Sequence, residues 1–226
     1  MSVRSFERET FPGGGGLSVL SMAVLALGTL FWGSCSQASV PREHLYLLPL
    51  PGRAGGPGGE GRAVGGPVLL VLPVEGRGLF RGDRLWAKVS EMEVEPWVNH
   101  RWALPAPEVV RQALAAWARG TGLFSRVTTA AAFLPGREGL TLSAVLLALE
   151  EEDTPKGIWG RVRMELELSG RAAGGRVHSW RGIVEEREPV EEKSAAGVVR
   201  ALGRALARGM DKALQAWKKA GILGGN

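Results

Sequence analysis

The sequence is poor in the residues that most often carry chemistry. Its 226 residues include one cysteine, Cys35, and three histidines, His44, His100 and His178. A single cysteine forms no internal disulfide. The histidines are far apart, and none has a second ligand at a metal-binding spacing such as His-x-x-x-His. The sequence therefore predicts no disulfide framework, no metal site and no cofactor.

Catalytic signatures are scarce as well. Ser143 and Ser169 lack the Gly-x-Ser-x-Gly setting of an activated serine. Residues 150–153 and 185–192 are runs of mainly acidic residues, whereas paired catalytic carboxylates lie opposite each other across a cleft. We therefore interpret both runs as solvated loops and predict that the chain is not an enzyme.

The chain also lacks an apolar run of the usual membrane-spanning length. Residues 17–32 form an apolar run of about 16 residues, whereas a spanning helix needs about 20. Gly33 and Ser34 follow, as small residues follow the apolar core of a signal peptide, and then comes Cys35. We predict that residues 1–35 are an export signal whose cysteine is lipidated. The pattern also admits an uncleaved membrane helix, or a signal cut elsewhere that leaves a free thiol.

The end of this segment resembles a bacterial lipobox, although Trp32 stands where leucine is usual. The resemblance implies that Cys35 carries acyl chains such as palmitate, and two or more chains give a stable anchor at about 0.8 kcal/mol per buried CH₂. Ser36 follows the cysteine instead of the aspartate that favours the inner membrane. The resemblance therefore implies a lipoprotein sorted to the periplasmic face of the outer membrane.

Glycine, in contrast, is abundant, with 33 residues, and many of them lie within residues 52–66. A phosphate-binding loop would be followed by a helix N-terminus, but Pro67 and an apolar strand follow here. This stretch is therefore predicted to be a flexible loop. Residues 36–43 are predicted to be a tether, and residues 44–220 are long enough for one domain with a core.

Hydrophobic periodicity predicts an α+β fold: a single domain with a mixed, mostly antiparallel sheet and two main helices packed on one side. The predicted strands are residues 44–50, 67–74, 83–89, 123–129, 139–150, 158–168 and 176–185. Residues 92–97 continue as an extended segment, 99–107 form a connector, and 150–156 form a turn. Residues 139–150 suit a helix or a strand, and we favour a strand because the next segment alternates.

The first predicted helix begins near Glu108 and ends at Gly120 or Gly122. The second covers residues 194–219, with an apolar stripe that ends at Trp217. Its other face carries a cation at every fourth position: Arg200, Arg204, Arg208 and Lys212. We predict a stripe packed on the sheet and a solvated basic face, where charge reversal costs little stability. The alternative is a membrane or partner surface. The net charge of +5 suits anionic headgroups, and an exported protein rarely meets nucleic acid.

The order of short motifs resembles one family over residues 40–220. The motifs are Tyr46-x-Leu48, an apolar strand before Pro73-Val74, Arg101-Trp102-Ala103 with Pro105 before a helix, Phe124-x-x-Val127, and a last helix ending near Trp217. This order is similar to that of the ABC-type transport auxiliary lipoprotein family, in its PqiC-like group.

The resemblance implies a non-catalytic accessory subunit of a lipid transporter. Its partners would be an MCE-type protein with an ABC permease and ATPase, and it would help lipid to cross the periplasm. A homo-oligomer is implied only because MCE partners form rings. The residues leave three alternatives open: an envelope-assembly lipoprotein of the lipopolysaccharide-assembly type, an envelope hydrolase, and a purely structural envelope lipoprotein.

Overall fold

The computed structural model describes residues 42–50, 66–130, 139–171 and 177–223, which belong to one compact unit. The predicted signal, Cys35, nearly all of the tether and nearly all of the glycine-rich loop lie outside the described residues. The strands are β1 His44–Tyr46, β2 Val68–Val71, β3 Glu75–Gly76, β4 Arg84–Lys88, β5 Val94–Trp102, β6 Arg126–Thr128, β7 Gly139–Thr154, β8 Gly157–Arg171 and β9 Val177–Pro189. The helices are α1 Ala106–Thr121 and α2 Ala195–Lys219, and a short 3₁₀ helix covers Gly78–Arg81.

The sheet is organised around β7. One edge of β7 pairs antiparallel with β8 along its whole length, and β9 continues the sheet antiparallel beyond β8. The other edge pairs with β2, β3 and β4 in turn, all parallel. The antiparallel pairs are the long ones, so the predicted mixed, mostly antiparallel sheet is confirmed. The strand interpretation of residues 139–150 is confirmed too, but the strand runs on to Thr154, so the turn predicted over 150–156 is wrong in its first residues.

Strand β5 differs from the prediction in its length. Residues 99–102, predicted as part of a connector, are its last four residues. Asn99 has a φ of 60°, and β5 takes five steps from Pro96 to Arg101 while β4 takes two from Trp86 to Arg84. Such an irregularity bends a strand and disturbs its side-chain alternation, so the sequence pattern did not reveal it. Strand β1 lies outside β5 and parallel to it.

Both helices form where their end signals predict. Helix α1 begins directly after Pro105 with Pro107 in its first turn, and it ends at Gly122, whose φ of 67° closes the helix in the left-handed conformation. Helix α2 is capped by Ser194, whose hydroxyl accepts a hydrogen bond from the amide of Gly197 at 3.1 Å.

The two helices lie on the same side of the sheet. Trp217 of α2 is 0% exposed, and its ring meets Trp117 of α1 and Trp180 of β9 edge to face. Trp117 also donates a hydrogen bond from Nε1 to Asp211 of α2 at 3.0 Å. The apolar stripe of α2 is therefore core, as its periodicity predicts.

Candidate functional site

Both acidic runs that we predicted to be solvated loops prove to be largely strand, with buried carboxylates. Glu150, Glu151 and Glu152 lie on β7 and are only 5–8% exposed, while Glu186 and Glu188 lie on β9 and are 8% and 5% exposed. Burial of a carboxylate is tolerated only when a cation or a hydrogen-bond donor compensates it. The compensating groups come from other elements, so the local sequence did not reveal them.

The first charged group, called here the sheet cluster, consists of Lys88, Glu150, Glu152, Arg161, Glu185 and Arg187. Arg161 is central: its Nη1 lies 3.1 Å from Glu150 Oε1, and its Nη2 lies 3.0 Å from Glu185 Oε1. Glu152 pairs with Arg187 and, at 3.7 Å, with Lys88. The cluster therefore ties the end of β7 to β4, β8 and β9.

Burial and charge oppose each other in this cluster. Burial raises the pKa of Glu150, and the nearby Arg161 and Lys88 only partly offset it. At Glu152 burial acts in the same direction, but the hydrogen bond and charge of Arg187 outweigh it, with help from Arg161, and hold the pKa below its usual value. The neighbouring Glu151 points elsewhere and accepts a hydrogen bond from Trp97 Nε1 at 2.9 Å.

The second charged group, called here the helix ladder, joins α2 to β9 and the turn between them. Arg204 lies 3.7 Å from Glu188 and 3.3 Å from Glu191, and Arg208 also pairs with Glu188. The two ends of the ladder are the pairs Arg200–Glu192 and Lys212–Glu186. The prediction of a solvated basic face is therefore wrong in part, because each cation, although partly exposed, has an acidic partner.

The three histidines, at which the sequence predicted no metal site, lie in two places of the fold. His44 and His100 stack with ring centroids 5.0 Å apart, while His178 lies on β9. Tyr46 forms a hydrogen bond through its hydroxyl with His100 Nδ1 at 2.9 Å, and Trp97 meets the His100 ring edge to face. Within the described residues, no group of three side chains suited to a metal ion occurs. These aromatic residues hold β1 against β5.

The two serines without the setting of an activated nucleophile lie on neighbouring strands. Ser143 is on β7 opposite Glu167, and Ser169 is on β8 opposite Thr141. In the described part of the chain, neither has a hydrogen bond to a histidine, which is the partner that an activated serine nucleophile usually needs. Cys35, the predicted lipidation site, lies outside the described residues.

One exposed feature was not recognised in the sequence. Residues 89–95, called here the acidic tip, close the β4–β5 hairpin, and Met92 at its apex is 99% exposed. The tip also presents Val89 and Val94, each 39% exposed. The only signal in the sequence was the alternation of glutamate with apolar residues, which is equally typical of an edge strand.

Neither α1 nor α2 is long and apolar enough to cross a membrane, and the described residues contain no other helix that could do so.

Comparison with known proteins finds one matching family and several structures with a similar fold. The model of a family described as "ABC-type transport auxiliary lipoprotein component" matches residues 46–212. An uncharacterised protein of known crystal structure is 17% identical, with a TM-score of 0.57 over 78% of this chain and 99% of that one. Protein XCC0632 from Xanthomonas campestris is 15% identical, with a TM-score of 0.52 over 79% of this chain and 93% of its own. At these identities the two structures show the fold alone, and no curated protein matches the chain.

Proposed function

The chain belongs to the family of ABC-type transport auxiliary lipoprotein components, and from this premise we propose that it is a non-catalytic accessory subunit of an ABC/MCE-type lipid-transport system. Its partners would be an MCE-type protein with the ABC permease and ATPase. The family match over residues 46–212 is the observation that carries the proposal.

The proposed anchor is Cys35, acylated at the periplasmic face of the outer membrane. The apolar run that ends at Gly33-Ser34-Cys35 supports it. The structure adds that the chain enters the domain through β1, which is held firmly. Strand β1 pairs with β5, and Leu48, just beyond it, is only 8% exposed within the core. Force on the anchor would therefore be transmitted through β1 to the core of the domain.

A non-catalytic role is supported by how the charged side chains are used. Arg161 binds two carboxylates, Glu150 and Glu185, and Glu188 binds two arginines. A general acid or base must be within hydrogen-bond reach of a substrate proton, whereas these groups are engaged with one another across elements. Because these groups join elements of the domain, they support a role in docking and not in catalysis.

The test is an affinity purification in mild detergent of the full chain with a C-terminal tag, with Cys35→Ser alongside. We expect recovery of an MCE-type protein or an ABC permease, together with acyl mass on residue 35 that the Cys35→Ser form lacks. Acyl mass with an outer-membrane assembly protein in place of these partners would favour the lipopolysaccharide-assembly type. An unmodified Cys35 together with no transport partner would overturn the proposal and would favour an envelope hydrolase or a membrane-anchored structural domain instead.

A further inference from the structure

The acidic tip is an ordered hairpin end and not a loose loop. The amides of Val89 and Ser90 both donate hydrogen bonds to the carbonyl of Glu93, at 3.1 Å and 3.3 Å, and the amide of Met92 donates to Ser90 Oγ at 3.3 Å. These bonds hold the Met92 side chain out in solvent at 99% exposure. The Met92 side chain and the two exposed valines beside it are not packed in the domain's own core. An ordered apolar apex of this kind resembles the apolar centre of a contact surface.

The charges of the tip are of one sign and are not neutralised by the domain. Glu91, Glu93 and Glu95 are all exposed, and in the described structure none of them forms an ion pair with a lysine or arginine. This contrasts with the glutamates of the sheet cluster and the helix ladder, which are paired. Three free carboxylates around an apolar apex, on a chain of net charge +5, are complementary to a basic surface.

A membrane contact is the competing interpretation of Met92, because the proposed anchor at Cys35 would hold the domain close to lipid headgroups. Anionic headgroups attract lysine and arginine at about 1 kcal/mol per residue and repel carboxylates in the same way. The three glutamates therefore favour contact with a protein over contact with a membrane.

We propose that the acidic tip docks into a partner protein that offers an apolar pocket rimmed by lysine and arginine side chains. Met92 is the anchor, flanked by Val89 and Val94, and the glutamates steer and align the contact. The inference rests on the proposed function only for the identity of that partner, which would be a component of the transport complex.

The first experiment places a photo-reactive amino acid at position 92 of the full-length protein in the cell. The same probe at position 183 is the matched control, because Ile183 is 60% exposed and apolar but lies on β9. We expect a protein adduct at 92 and not at 183, and we expect the cross-linked peptide to contain apolar residues beside lysine or arginine. An adduct with lipid only, an adduct with a second copy of this chain only, or no protein adduct would overturn the proposal.

The second experiment tests the role of charge. With the probe at 92, the combined variant Glu91→Lys, Glu93→Lys and Glu95→Lys should reduce the adduct at least fivefold, while Glu75→Lys, a reversal elsewhere on the surface, should not. In the affinity purification, Met92→Ser should reduce recovery of the partner at least fivefold, whereas Met92→Leu should retain it. Unchanged melting temperatures are expected for all these variants because the side chains are exposed. An adduct insensitive to the charge reversal would overturn the inference.

These outcomes separate the inference from the proposed function. Recovery of the MCE protein or permease at the wild-type level with all tip variants would leave the proposed function standing and remove the tip as its contact. A charge-dependent adduct at 92 with a basic protein outside any transport complex would keep the docking surface and overturn the proposed partner.

Discussion

Trp217 of α2 meets Trp117 of α1 edge to face, with ring centroids 6.1 Å apart and planes inclined at 75°. Trp180 of β9 meets the same ring from another direction, at 5.9 Å and 80°. One indole thus joins the two helices and the outer strand of the antiparallel part of the sheet. Edge-to-face pairs add about 0.5–1.5 kcal/mol beyond the area they bury.

Trp217→Ala should therefore lower the free energy of unfolding by about 3–5 kcal/mol, as other large-to-small core changes do. Trp217→Phe should cost less because it keeps one ring between the other two. Gln215→Ala, two residues away on the exposed face, should change stability by less than about 0.5 kcal/mol. Urea denaturation monitored by far-UV circular dichroism measures all three. A midpoint for Trp217→Ala equal to the wild-type midpoint would contradict the core position.

The sequence predicted what depends on local periodicity, and it missed what depends on distant partners. The stripe of α2 repeats within one helix, so Trp217 could be placed in the core from its spacing alone. The carboxylates of β7 could not be placed this way, because the partner of Glu152 is Arg187 on β9 and that of Glu151 is Trp97 on β5. An acidic run with no visible partner resembles a loop, and only the register of the strands distinguishes the two.

The contact between Gly203 and Pro49 leads to a second prediction. A β-carbon at Gly203 of α2 would collide with the backbone carbonyl of Pro49. Replacing a glycine by alanine in a helix interior ordinarily stabilises it by about 0.5–1 kcal/mol. Here we expect Gly203→Ala to lower the free energy of unfolding, because backbone cannot yield as a side chain can.

Hydrogen exchange at the amide of Ala103 gives a local readout, since that amide donates to the carbonyl of Tyr46 at 2.8 Å. Gly203→Ala should speed this exchange because the segment after β1 must shift. Gly209→Ala is the matched control, because its new β-carbon would meet only side chains, those of Val184 and Glu186, and no backbone. Equal exchange rates at Ala103 in the two variants would show that the contact with Pro49 does not hold β1 in place.

The helix ladder changes the expectation for charge reversal. Arg208 pairs with Glu188, whose side chain is only 7% exposed. Arg208→Glu would place a second carboxylate beside a buried one, and we expect it to lower the free energy of unfolding by about 1–3 kcal/mol. Arg200→Glu should cost clearly less stability than Arg208→Glu, because its partner Glu192 is 63% exposed and water screens the pair.

The pair Arg208→Glu and Glu188→Arg supplies the test of direct interaction. In a double-mutant cycle the combined swap should recover part of the loss, because opposite charges again face each other. Stability is measured by denaturant titration at low and at high salt. If the cycle shows no interaction energy, and Arg208→Glu and Arg200→Glu lose equal amounts of stability, the basic face is solvated as the sequence predicted.

The aromatic contacts between β1 and β5 predict a dependence on pH. Burial lowers the pKa of His100 below its usual 6.5, and the neighbouring His44 lowers it further. Tyr46 and Trp97 face the His100 ring, while Arg101 next to it pairs with Glu43 at 3.2 Å. A base whose pKa is lower in the folded state favours folding while it is neutral. The stability it contributes is therefore full above pH 6.5 and is lost as the pH falls through the folded pKa.

We expect the free energy of unfolding to fall between pH 7.5 and 5.5 more steeply for the wild type than for His100→Gln. The difference between the two proteins is the quantity to measure, because burial raises the pKa of Glu150 and Glu151 and these carboxyls act in the opposite sense. His44→Asn should remove only part of the slope, since burial of His100 remains. The control variant His178→Asn, on β9, should show the same fall in the free energy of unfolding as the wild type. If His100→Gln and the wild type lose stability in parallel, protonation of the stacked histidine does not govern how firmly β1 is held.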